Sequence, residues 1–215
     1  MPLPRLTPKH LLLLKVIIHL GALLPVSWTF YAAISGHIDG DPVDALLRIT
    51  GIGALNLLVL SLLVSPLAKK LRQGLLIRVR RLIGIYAFTY ALCHLITYIL
   101  FELQLEWQLI ASEIIKRPYI TAGFATLLIL MALASTSTQN MQKRLGKRWQ
   151  QLHNWVYLAI ILGCLHYWWS QKTAIGEPLV YWSLALILLW FRKDKLLRPF
   201  HLNKRTNIRT PQPKS

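Results

Sequence analysis

Carboxylates are scarce in this chain. Eight Asp and Glu stand against 25 Lys and Arg over 215 residues, and none of the eight falls inside a long apolar run. Proton relays in membrane transporters draw on Asp, Glu and His together. Only the histidines are available here, so a proton-coupled transporter is the alternative reading and lacks its acids. Cysteine is rarer still. Cys93 and Cys164 both lie within apolar runs, and no C-x-x-C-H occurs. Covalent c-type haem attachment is thereby excluded, and the two thiols read as helix packing. Long polar stretches are also missing, which leaves no room for a soluble nucleotide-binding domain. No repeat stands out.

Apolar residues make up 54% of the chain, and its mean hydropathy is +0.44. A bilayer crossing takes about 20 mostly apolar residues. Six stretches qualify, at about 10–34, 49–68, 82–101, 119–137, 149–171 and 179–191. The last is short and needs Arg192 and Lys193 to snorkel, or a tilted or thinned boundary. The fold expected is an all-α membrane protein, one six-helix transmembrane domain over 1–198 followed by a basic tail at 199–215. Residues 1–34 resemble a signal peptide superficially. Lys15 and His19 interrupt the run and no small-x-small site follows, so it reads as a retained first helix. The segment 35–44, with Gly36, Gly40, Pro42 and three Asp, reads as a turn. The segment 102–118 reads as an amphipathic interfacial helix, with Pro118 opening the fourth span.

The formal charge of +17 invites a nucleic-acid reading, which its distribution defeats. The N-terminus, the second and fourth loops and the tail carry 21 of the 25 bases, whereas seven of the eight acids lie on the other side. That is the positive-inside pattern, and it predicts both termini in the cytoplasm. The basic surplus then serves topology and contact with anionic lipid. No nucleic-acid partner is expected.

Three histidines, His94, His153 and His166, sit inside uncharged apolar runs. An ionisable side chain in lipid is costly and marks a functional site by default. Neutral imidazole offers one lone pair, which suits haem iron. At about 1.5 Å per residue, His94 lies roughly 20 Å beyond Arg81, His166 roughly 27 Å beyond Arg148, and His153 only about 8 Å beyond it. Depth therefore pairs His94 with His166 in the outer half of the membrane. His153 stays open as an alternative partner or a second site. It stands 13 residues before His166, about 140° short of whole turns on a straight helix, and a distortion near Gly163 would be needed to realign the two. His19 lies at an inner depth. His10, His37 and His201 read as solvated.

Residues 135–154, Ser-Thr-Ser-Thr-Gln-Asn-Met-Gln-Lys-Arg-Leu-Gly-Lys-Arg-Trp-Gln-Gln-Leu-His-Asn, closely resemble the MsrQ (YedZ) family. So does Leu76-Ile-Arg-Val-Arg-Arg-Leu-Ile-Gly84, running on to His94. These are haem-binding membrane subunits of the bacterial protein-methionine-sulfoxide reductase system, in the ferric-reductase-like transmembrane superfamily. The resemblance covers about residues 6–198. It implies an inner-membrane protein with b-type haem and FMN, electrons from the quinone pool or a cytosolic flavin reductase, and a periplasmic molybdopterin partner, MsrP. Methionine sulfoxide is a reversible lesion, so its repair outside the cytoplasm needs imported electrons. The family's histidines fall on His94, His153 and His166. The third span carries one histidine, unlike eukaryotic ferric reductases. The chain is an electron-transfer subunit under this reading and not the catalytic one.

A flavin phosphate or quinone headgroup needs cationic donors near the inner face. Arg78, Arg80, Arg81, Lys147 and Arg148 are placed there, with Trp149 able to stack.

Overall fold

The computed structural model describes residues 6–171 and 176–192. These form nine α-helices: α1 (Pro8–Ile34), α2 (Pro42–Lys70), α3 (Ile77–Thr97), α4 (Trp107–Lys116), α5 (Pro118–Ser135), α6 (Gln139–Leu145), α7 (Lys147–His153), α8 (Val156–Ser170) and α9 (Gly176–Trp190). No strand occurs among the described residues. The basic tail, with His201, lies outside them, as do Lys172 and Lys193.

Helix ends follow local chemistry. Thr7 and His10 close a capping box on α1, whose first residue is Pro8. The Val43 amide donates to Asp41 Oδ1 at 2.8 Å to start α2. Asp44 in its first turn and Lys69 and Lys70 in its last oppose the helix dipole at both ends. These caps carry α2 well past the expected 49–68. Gly36 and Gly40, both at positive φ, make the turn before it. The amphipathic α4 forms where expected, and Pro118 opens α5 at its first position. Beyond α3 the chain widens into a π-turn, Tyr98–Glu102.

Four helices are long and apolar enough to cross a membrane, namely α1, α2, α5 and α3 with its flanking turns; α9 is apolar but shorter. The expected span 149–171 is divided. At Asn154 and Trp155 the backbone stays right-handed but tightens, with the Trp155 amide donating to Leu152 O and that of Tyr157 to Asn154 O. Asparagine competes for hydrogen bonds inside a helix, and Asn154 Oδ1 accepts from Gln150 Nε2 at 2.9 Å. The distortion thus falls at Asn154 rather than near Gly163.

Two helix pairs make the frame. α2 packs along α3, α5 packs along α8, and α3 meets α5 between them. The core joins Leu55, Leu58 and Leu62 of α2, Ala87 of α3, Leu130 and Leu133 of α5, Ile160 and Cys164 of α8, and Ala185 and Leu188 of α9. α1 lies outside this core and packs through Leu11 on Val79 and Ile83 of α3. The outer surface is covered with exposed Leu, Ile and Trp, among them Leu12, Leu13, Ile17, Leu24 and Trp28. In water such a surface would aggregate; in lipid it is the solvated face.

Leu62 is almost fully buried, whereas Leu13 faces outward. Leu62→Ala is expected to lower stability by about 2–5 kcal/mol through the cavity it opens. Leu13→Ala is expected to leave stability unchanged. Denaturation of the two variants in mixed micelles measures both.

Candidate haem pocket

The two helix pairs each bring one histidine to a shared cavity of about 400 Å³. His94 projects from α3 and His166 from α8. Their ring centroids lie 6.1 Å apart, with the planes at 81°. His94 Nδ1 donates to Leu47 O of α2 at 3.0 Å and also approaches Thr50 Oγ1 at 3.3 Å. His166 Nδ1 donates to Tyr119 O of α5 at 2.7 Å. A carbonyl oxygen only accepts, so Nδ1 carries the proton on both rings. The lone pair is thereby placed on Nε2 in each case.

Helix carbonyls are ordinarily screened by side chains. Here each carbonyl sits one turn before a glycine. A Cβ on Gly51 would lie 3.0 Å from His94 Cε1, and one on Gly123 would lie 2.8 Å from His166 Nδ1. A side chain at Gly123 would force the His166 ring to shift, and one at Gly51 would press the His94 ring back by a few tenths of an ångström. The Tyr119 ring stacks on His166, with centroids 6.2 Å apart and planes at 26°.

The arrangement is a repeat that the linear reading missed. Leu47, Gly51 and His94 recur 72 residues later as Tyr119, Gly123 and His166, in the same roles. At the same offset Leu55, Leu58, Gly74 and Ala87 recur unchanged as Leu127, Leu130, Gly146 and Ala159. An ungapped self-comparison at this offset would have found the two glycines. Lipid-facing positions carry no such constraint, and they dilute the signal. At that offset Arg81 occupies the place of His153.

His153 does not line the cavity. It ends α7, where its Nε2 lies 3.3 Å from Thr136 Oγ1 and its ring stacks on Trp149 at 4.0 Å. Trp149 in turn donates to Thr136 O at 3.0 Å. Arg80 is half-buried, and its NH1 reaches Ser65 Oγ at 3.4 Å. Arg78, Arg81, Lys147 and Arg148 are exposed. Arg192, expected only to snorkel, is buried and donates to Tyr157 Oη and Leu62 O, both at 2.8 Å. His19 meets Tyr86 and not His153.

The cavity walls are mainly apolar, and its mouth is polar, with Asp44, Arg48, Tyr167, Ser170 and Gln171. Arg48 NH2 contacts both oxygens of Glu177, at 2.9 and 3.1 Å, and Tyr167 Oη donates to Glu177 Oε2 at 2.6 Å. Beside this rim Arg117 Nε pairs with Glu113 at 2.7 Å. Two neutral imidazole nitrogens face one space, and no third metal-ligating side chain joins them among the described residues. This donor set suits an iron whose remaining positions a macrocycle fills.

The chain is similar to known proteins over most of its length. The ferric reductase like transmembrane component family matches residues 49–164, which run from the start of α2's glycines to Cys164. No solved structure matches the chain. Two curated relatives are each called protein-methionine-sulfoxide reductase heme-binding subunit MsrQ. The one from Cronobacter sakazakii (strain ATCC BAA-894) is 48% identical over 193 residues, 89% of this chain and 96% of the relative. The one from Klebsiella pneumoniae (strain 342) is 47% identical over 192 residues, with the same coverage. The chain belongs to the MsrQ family of ferric-reductase-like transmembrane proteins.

The Tyr167 hydroxyl, with the Arg48 guanidinium, holds the Glu177 carboxyl below its ordinary value. A carboxylate with a folded value below its unfolded one adds stability above the unfolded pKa and loses it as pH falls through the folded one. Between pH 7 and pH 3 the melting temperature of the wild type is therefore expected to drop further than that of Glu177→Gln, by differential scanning fluorimetry in detergent.

Proposed function

We propose that the protein is the haem-carrying electron-transfer subunit of a protein-methionine-sulfoxide reductase. In this reading His94 and His166 bind the iron of one b-type haem through Nε2. One observation carries the assignment. Both Nδ1 atoms are held by helix carbonyls, and the ring centroids stand 6.1 Å apart. A haem iron would be held by Nε2 of His94 and Nε2 of His166, whose rings face each other across the cavity. Gly51 and Gly123 let the rings sit back from the cavity axis. A bound haem supplies a one-electron couple in the low-dielectric interior. The protein's own groups orient the rings, fix their tautomers and exclude water from the apolar walls.

The bundle crosses the bacterial inner membrane six times with both termini cytoplasmic, by way of α1, α2, α3, α5, α7 with α8, and α9. The charge asymmetry supports this orientation. The pocket then opens outward, towards a periplasmic partner of the MsrP type that reduces methionine sulfoxide. Electrons enter from the inner side, from the quinone pool or a cytosolic flavin reductase. Arg78, Arg80, Arg81, Lys147, Arg148 and Trp149 offer an inner basic surface for an anionic headgroup or an FMN phosphate. His153 lies at that inner level, stacked on Trp149.

The reading is tested by the visible spectrum of purified protein, with sharp reduced α-bands expected. His94→Ala and His166→Ala are each expected to abolish the low-spin haem, since the cavity holds no substitute ligand. His153→Ala is expected to retain it. A full low-spin spectrum in His94→Ala rules the assignment out.

Were both rings to hold a haem iron, planes at 81° would leave its two π-type orbitals nearly equal in energy. The oxidised protein is therefore expected to give the strongly anisotropic low-spin paramagnetic resonance signal of crossed imidazoles. A rhombic signal, typical of parallel rings, means that the rings turn in the holoprotein.

A further inference from the structure

A polar pair is set into the lipid-facing flank of the bundle, away from the haem pocket. His19 of α1 and Tyr86 of α3 meet with Nδ1 and Oη 2.5 Å apart and ring centroids 5.5 Å apart at 78°. His19 is exposed, and so are Val16, Ile17, Leu20 and Leu23 around it. It stands about 16 Å along α1 from Pro8, inside the hydrocarbon layer. Ionisable side chains in membrane helices almost always face the bundle interior. This one faces outward. Tyr86 satisfies one ring nitrogen, and Nε2 has no hydrogen-bond partner among the described residues.

We propose that His19 and Tyr86 bind the headgroup of a lipid-dissolved hydroquinone, the electron donor of the function proposed above, on which this inference rests. Three observations point to that class of ligand. The open nitrogen lies on an exposed flank lined with apolar side chains, which favours a lipid-soluble ligand. The exposed apolar side chains around His19 offer a bed for a hydrocarbon tail. The pair also recognises both redox forms. With Nδ1–H donating to Tyr86, Nε2 accepts from a hydroquinone hydroxyl. With Tyr86 donating to Nδ1, Nε2–H donates to a quinone carbonyl.

The same pair lies at the end of a route to the pocket. Tyr86, Tyr90 and His94 follow at four-residue steps along one face of α3, and the whole run rises about 12 Å. Tyr90 is buried, and its hydroxyl donates to Ala22 O of α1, so the aromatic stripe is fixed against the first helix. Each hydroquinone that reacts loses two electrons and two protons and becomes quinone. The electrons leave singly for the haem iron, which is the oxidant. His19 Nε2 takes the proton of the bound hydroxyl, and both protons of the hydroquinone leave in turn for water on the inner side, the end of α1 nearer to His19.

The test uses full-length haem-loaded protein in lipid nanodiscs, with decylubiquinol as probe. His19→Leu is expected to slow quinol-driven haem reduction by about tenfold or more, and Tyr86→Phe by about fivefold, the scale of one lost hydrogen bond. Dithionite is expected to reduce both variants fully. An azido-ubiquinone photolabel on haem-free wild-type protein is expected on α1 or α3 next to His19. Wild-type reduction rates in His19→Leu, or a label confined to other helices, overturn the proposal. If His19→Leu loses its haem, Tyr86→Phe and the label decide. If wild-type protein binds no haem at all, the proposed function fails, and labelling of the haem-free protein still decides this site.

Discussion

The pocket depends on a close approach between imidazole rings and bare helix backbone. A helix carbonyl already accepts one bond from the amide a turn ahead, and its second lone pair is normally hidden by side chains. At Leu47 and Tyr119 a glycine one turn on removes that cover, and the histidine Nδ1 takes the exposed lone pair. This single contact fixes the tautomer, the ring position and the spacing of the helix pair. Everything else in the frame serves to place two such contacts across one cavity.

That the contact occurs twice explains the architecture. α2 with α3 and α5 with α8 are two copies of one unit, facing each other with a histidine apiece. The copies are not equal elsewhere. At the end away from the pocket the first bears Arg81 where the second bears His153. Both units share the glycine, the carbonyl and the histidine that shape the pocket, and they differ at the end away from it.

Lipid as solvent sets the remaining constraint. Polar groups in the described bundle are satisfied within it. Arg192 is folded back onto Tyr157 and Leu62 O, and Ser and Thr side chains return to carbonyls of their own helices. Charges gather at the pocket's rim, where Arg48 and Tyr167 both contact Glu177. Against that background the outward-facing His19 is the exception.

The sequence by itself determined the class of the molecule. A run of about 20 apolar residues has few options in a bilayer, so helices α1, α2, α3 and α5 could be read from hydropathy, and α4 and Pro118 from local patterning. His94 and His166 could be paired by depth, because rise per residue is fixed in a helix. Three things waited for the tertiary structure. Gly51 and Gly123 matter only through the ring that lies against each, and no local signal reports a contact 43 residues away. Asn154 divides the fifth apolar run, where hydropathy alone saw continuity. Arg192, which looked like a snorkelling end residue, turned inward because a neighbouring helix offered a hydroxyl and a carbonyl. Hydropathy and rise are properties of one segment; these three were decided between segments, where packing chooses which backbone groups meet which side chains.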